Sequence, residues 1–166
     1  EEEQLEEFCF EVVKNLPGVG KNLQEHFMVP VAHSCLEPVS LAHASEPSQA
    51  ALYGKGMGML TSNIAEGGGF VKLDSNAEIP ELQFHFAPGY FIKDGAANPK
   101  GDGYTLLPSI VQPKSRGEVR LASADPHEKL LIDIGVFSNE DDIDIAVEGI
   151  KIARKIHASK AFEPYR

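Results

Sequence analysis

The 166-residue chain has no tryptophan, two cysteines and three methionines. No apolar run approaches the ~20 residues needed to cross a bilayer, so no membrane span is expected. Basic residues are scarce: 15 Lys and Arg stand against 25 Asp and Glu, for a net charge of −10. Nucleic acid and anionic membrane surfaces would repel such a chain, and both are excluded as partners. Cys9 and Cys35 show neither metal-ligand spacing nor a disulfide framework and read as reduced thiols. The opening EEEQLEEF is acidic, the reverse of the basic segment that begins a secretory signal. A cytoplasmic chain is expected. The hydrophobic share of 42% and charged share of 24% are ordinary for a soluble globular fold. The length suits one domain over residues 1–166.

Phosphate-binding motifs are also missing. The stretch LPGVGKNLQEHF, Leu16 to Phe27, has two glycines and a lysine, but Asn22 follows Gly20-Lys21 where a P-loop needs Ser or Thr. Asn15 occupies the early glycine position of that motif. The dinucleotide fingerprint fails as well, because Gly18 and Gly20 lead to Leu23 instead of a third glycine. The following FMVPVAHSCL reads as a strand and not as the helix whose N-terminus would hold a phosphate. On its residues alone, the stretch is a glycine turn joining a short strand, Phe10 to Val13, to a longer one.

Several strands and one long helix remain. Phe27 to Leu36 is rich in β-branched and aromatic residues around Pro30, which points to an edge or a bulge. Glu46 to Leu60 reads as a short helix running into a glycine-rich turn. In SNIAEGGGFVKL the three glycines 67–69 suggest a strand that something approaches closely. ELQFHFAPGYF alternates, with Leu82, Phe84 and Phe86 on one face and Gln83 and His85 on the other. Residues 94–103 form a turn-rich loop, and YTLLPSIVQP and GEVRLAS read as a hairpin joined through residues 114–117. The helix is placed at 139–158, capped by Ser138, with Glu140, Asp141 and Asp142 at its start and Lys151, Arg154, Lys155 and His157 near its end. Ile143, Val147, Ile150 and Ala153 supply its buried stripe, widened by Ile145, Ile152 and Ile156. The expected fold is α+β, a mainly antiparallel sheet with helices on one face. Strands near 27–36, 67–73, 81–87, 104–112 and 117–123 are expected in one sheet.

Catalytic patterns are few. The six histidines form no H-E-x-x-H and no i, i+4 pair, so no metal is expected. No G-x-S-x-G elbow occurs, and Ser109 and Ser115 have no evident base. His85 in its aromatic strand and Glu66 before the three glycines are the candidates. Each is also readable as an ordinary surface group.

The loop LPGVGKNLQEH resembles one written LPGVGxNLQDH in the glucose–methanol–choline (GMC) family of flavin-dependent alcohol oxidoreductases. SNIAEGGGFVK, PELQFHFAPG, GDGYTLLPSIVQPKSRGEVRLASADP and LIDIGVFSNEDDIDIAVEGIKIARKI continue the similarity in order, from about Val12 to Arg166. The chain departs from the pattern at Glu25, where Asp is usual, and at Cys9-Phe10, where Gly-Ile is usual.

The resemblance implies a substrate-binding domain with the family's FAD-linked reductase C-terminal-like fold. It implies that the FAD-binding Rossmann domain and the segment with the catalytic histidine are absent from these residues. It places Asn22, Glu25 and His26 near the flavin, and Glu66 and His85 in the substrate pocket, with no catalytic residue here. FAD is the implied cofactor of the complete enzyme, held only weakly by this segment. A small alcohol, choline-like or neutral, and the FAD-binding domain of the same protein are the implied partners. An uncovered apolar face would also drive self-association into a homo-oligomer. A second reading, a non-catalytic α+β interaction module with an inherited fold, stays open at this point.

Overall fold

The computed structural model describes residues 2–92 and 99–166. Residues 94–98 of the loop read at 94–103 lie outside them. The elements in chain order are α1 (Glu2–Glu7), β1 (Val31–Ser34), α2 (Pro47–Tyr53), β2 (Gly67–Val71), β3 (Leu82–Ala87), β4 (Gly103–Ile110), β5 (Glu118–Arg120), β6 (Leu131–Asp133) and α3 (Glu140–His157), with short 3-10 turns at Leu41–His43, Met59–Thr61 and Lys160–Tyr165. The chain divides into two compact units, Glu1–Phe27 with Gln112–Ile143 and Met28–Val111 with Asp144–Arg166.

The larger unit is built on a four-stranded sheet in the order β1-β4-β3-β2. Its three strand pairings are all antiparallel. Leu82 opposes Ile110 and Val71, Phe84 opposes Pro108 and Gly69, and Phe86 opposes Leu106 and Gly67. These side chains therefore share one face. Leu82, Phe84 and Leu106 join Ala153 of α3 in the core, with Val31, Val71, Phe86, Ile145 and Ile152 packed around them. The opposite face carries Gln83, His85 and Ala87 with their partners Ser109, Leu107 and Thr105. The α+β architecture with an antiparallel sheet matches the sequence-based expectation.

Pro108 sits in the central strand, where a missing N–H normally excludes proline. Its carbonyl accepts from Val29 N–H at 2.9 Å. A residue's N and C=O point to the same side of a strand, so the missing donor faces β1's side. There the regular ladder has already ended at Val31–Leu106, and no ladder bond is lost.

The helix is where it was expected, but its buried stripe is different. Asp142, Ala146, Gly149, Ala153 and His157 are buried, whereas Ile143 and Val147 are 41% and 42% exposed. The reason is close packing on the sheet. A Cβ at Gly149 would lie 2.8 Å from Pro108 Cβ and 3.2 Å from Leu82 Cδ2. Only small residues fit there, and the large ones flank the contact. Ser138 does not cap the helix either: its Oγ accepts from Arg116 N–H, and Asn139 Oδ1 accepts from Asp141 N–H at 3.0 Å.

In the smaller unit β5 pairs with β6, antiparallel, as a separate two-stranded sheet. The expectation of a hairpin with β4, and of residues 117–123 in the main sheet, is thus corrected. Residues between the two strands do not turn back on themselves; they are drawn toward α3's start. The Asp142 carboxylate accepts from Lys114 N–H at 2.9 Å and Ser115 N–H at 2.7 Å, and Ser115 Oγ accepts from Asn139 N–H. The short strand expected at Phe10 to Val13 is irregular chain.

Candidate functional site

The opening glycine loop lies in the smaller unit. Gly20 adopts φ +78°, and a Cβ there would stand 2.2 Å from Val119 O, so glycine is required by a close backbone approach. Three of the loop's donors are engaged: Val19 N–H bonds Leu16 O, Lys21 N–H bonds Gly18 O, and Leu23 N–H bonds Gly117 O, while Gly20 O accepts from Val119 N–H. A phosphate cradle needs a convergent set of free amides, and these point into the chain. The motif is a structural turn locked onto β5.

Asn22 follows with φ +61°, and its Oδ1 accepts from Arg116 Nε at 2.9 Å. Glu25 and His26 beside it are exposed. Arg116 also donates through a terminal nitrogen to the carbonyls of Pro113 and Ser115. Thus PKSRG, the most distinctive run in the sequence, orients the Asn22 turn from within the same unit.

In the larger unit, Glu66 is exposed one residue before β2. It borders a cavity of about 490 Å³ together with Gly67–Gly69, Phe84, Phe86, Leu106 and Phe162. That cavity lies on the Phe84 face. His85 is half-buried, opposes Gly68 and Leu107, and alternates to the other face. It is not among the walls of the Glu66 cavity. Glu66 stands outside the β2 ladder, so strand register does not fix its side. A second cavity, about 280 Å³, is lined by Leu41, Ala42, Ala87, Gly89, Tyr90 and Phe91, and Ala87 belongs to His85's face.

Of the three glycines 67–69, one is demanded by close approach. A Cβ on Gly68 would stand 2.5 Å from Phe84 O, whereas Gly69 has nothing within 4 Å. Among the described residues no cluster of His, Cys, Asp or Glu could hold a metal ion. No helix among them is long and apolar enough to cross a membrane.

Sequence reasoning missed a second polar cluster in this unit. Ser40, His43, Glu46 and Asp102 are joined by hydrogen bonds of 2.7–2.9 Å. The residues are spread over 62 positions and match no motif. Nor was the aromatic group visible in which His157 meets His33, Tyr104 and Phe162 edge-on.

The same fold occurs within solved structures of larger enzymes. A variant of formate oxidase from Aspergillus oryzae RIB40, studied for FAD modification, superposes with a TM-score of 0.83 at 21% identity, covering 98% of this chain and 34% of that one. Residues 113–165 match the family model described as GMC oxidoreductase. An alcohol dehydrogenase (acceptor) from Pseudomonas putida is 41% identical over 159 residues, 92% of this chain and 29% of that protein. An oxygen-dependent choline dehydrogenase from Staphylococcus haemolyticus is 36% identical over 156 residues, 91% of this chain and 28% of that protein. The chain belongs to the GMC oxidoreductases. It spans less than a third of the length of these curated relatives.

Proposed function

We propose that the chain is the substrate-binding domain of an FAD-dependent oxidoreductase that converts an alcohol to an aldehyde or ketone. The 41% identity to an alcohol dehydrogenase over nearly the whole chain carries this reading. The reading of a non-catalytic module draws no comparable support. The choline dehydrogenase relative favours the finer proposal of a choline-like, cationic alcohol.

FAD, when bound, would accept the hydride taken from the alcohol carbon. The residues here bind and orient. Glu66 offers an exposed carboxylate beside phenyl rings, a setting that attracts a cation with an apolar body. His85 offers an imidazole that can hydrogen-bond a hydroxyl or an alkoxide. Asn22, Glu25 and His26 suit polar contacts along a flavin edge and not a pyrophosphate cradle, because the neighbouring amides are engaged. The partner that completes the site is the FAD-binding domain of the same protein. Uncovered apolar side chains such as Val13 and Ile132, 94% and 65% exposed, would favour self-association where nothing covers them. The proposal includes a cytoplasmic setting, with which the two free cysteines accord.

The test uses the full-length enzyme with choline and with a neutral alcohol. Glu66→Gln should raise KM for choline by about tenfold, the equivalent of 1.4 kcal/mol, and leave the neutral alcohol nearly unchanged. Equal effects on both would remove Glu66 from cation binding. Absence of flavin-linked oxidation of any alcohol would overturn the function itself.

A further inference from the structure

The Ser40–His43–Glu46–Asp102 cluster has a geometry that depends on one proton. His43 Nδ1 lies 2.8 Å from Glu46 Oε1, and Nε2 lies 2.9 Å from Asp102 Oδ2. Ionised carboxylates only accept hydrogen bonds, so each contact requires an N–H from the ring. Only the imidazolium has both. The two carboxylates differ in what else holds them. Asp102 Oδ1 also accepts from Ser40 N–H at 3.2 Å and from Ser40 Oγ at 2.7 Å, and its side chain is 15% exposed. Glu46 is 53% exposed, and among the described residues no other side chain bonds its carboxylate. It stands immediately before α2 without capping it.

We propose that His43 is a protonation-controlled latch: the imidazolium ties the 43–46 turn and the start of α2 to the turn before β4, and the neutral ring keeps Asp102 and releases Glu46. Asp102 is retained because it is the less hydrated acceptor, where a hydrogen bond is electrostatically stronger. The charged groups acting on the ring are these two carboxylates. Asp102 first and Glu46 second hold its pKa above the ordinary histidine value, partly opposed by desolvation. Release therefore falls on the alkaline side of that value. Leu41 and Ala42, next to the latch in sequence, are walls of the 280 Å³ cavity that Ala87 also lines. Ser40 and His43 stay bonded to Asp102 in either state and hold this wall between them, so the protonation of one side chain controls the turn that follows it.

Ring-proton NMR of the chain from about pH 5 to about pH 9 tests this. His43 should titrate above the ordinary histidine value near 6.5, and amide exchange over residues 44–50, corrected for intrinsic pH dependence, should accelerate roughly fivefold as His43 loses its proton. Glu46→Gln removes the charge at an exposed position. It should lower the titration point of His43 and abolish the pH-dependent step in exchange. His43→Gln should show the faster exchange at every pH. A His43 that titrates at or below the ordinary histidine value, or a Glu46→Gln exchange profile that tracks the wild type, would overturn the latch.

Discussion

Asp142 and His157 lie on one helix, both almost fully enclosed, and they show opposite ways of burying a titratable group. Burial alone would raise the Asp142 pKa, but the bonds from Ser115 and Lys114 outweigh it and the net shift is downward. The folded state holds the carboxylate charged. This stabilisation is present above the unfolded value near 4 and is lost as pH falls through the lower folded value. Asp142→Ala leaves the buried Ser115 N–H and the part-buried Lys114 N–H unmatched and should cost about 2–4 kcal/mol by chemical denaturation. Among the described residues His157 has no such partners, and neither ring nitrogen is hydrogen-bonded. Desolvation, with a smaller contribution from His33, pushes its pKa down to about 4. The unfolded chain takes up a proton below about 6.5 and the folded one resists. Stability is therefore complete above 6.5 and declines toward pH 4, by an amount on the order of 3 kcal/mol. His157→Phe should flatten that decline in urea melts taken across this range, and an unchanged slope would place the acid sensitivity elsewhere. His43 has the opposite sign: its contribution is present at low pH and fades as pH rises through its raised value.

Among the elements, the sequence made strands β2, β3 and β4 and the long helix legible through alternation, glycine and charge placement. It misled where partners are distant. The residues 113–117 look like a hairpin turn, yet the carboxylate that organises them is 27–28 positions away. The stripe of α3 was sought among large apolar residues, whereas its contact is made by Ala146, Gly149 and Ala153 because the helix approaches Pro108 so closely. Helix propensity and packing then oppose each other at Gly149. Alanine gains about 1 kcal/mol in propensity, but its methyl group would meet Pro108 Cβ at 2.8 Å, and such overpacking costs typically 1–3 kcal/mol. Packing should win, so Gly149→Ala should lower the melting temperature. The glycine triplet offers a sharper comparison. Gly68→Ala forces its methyl against the Phe84 carbonyl at 2.5 Å, while Gly69→Ala meets nothing within 4 Å. The first should melt several degrees below the second, on the order of 4 °C per kcal/mol lost.

At the scale of the whole chain, the residues proposed for the site fall into both compact units: Asn22, Glu25 and His26 in one, Glu66 and His85 in the other. Local sequence made these side chains visible as candidates, and family resemblance supplied their proposed roles; alternation gave the face of His85, but nothing in the local pattern fixed the side of Glu66, which stands outside the β2 ladder. The same separation of scaffold from cofactor chemistry bears on what these 166 residues can do unaided. Firm dinucleotide binding uses a glycine turn and a helix N-terminus that receive the pyrophosphate through free amides. The nearest approximation in this chain, Gly18 to Leu23, has the amides of Val19, Lys21 and Leu23 bonded to Leu16, Gly18 and Gly117, and a strand residue, Val119, fills the space over Gly20. No amino-acid side chain accepts a hydride, so alcohol oxidation requires the flavin itself. Titration of the purified chain with FAD, followed by flavin fluorescence, should show no saturable binding at micromolar concentration. Assays with choline, simple alcohols and an artificial electron acceptor should not exceed the rate of free flavin. Micromolar binding would mean that a pyrophosphate site exists away from the opening loop, and turnover above the blank would move the catalytic base into these residues, with His85 the first to substitute.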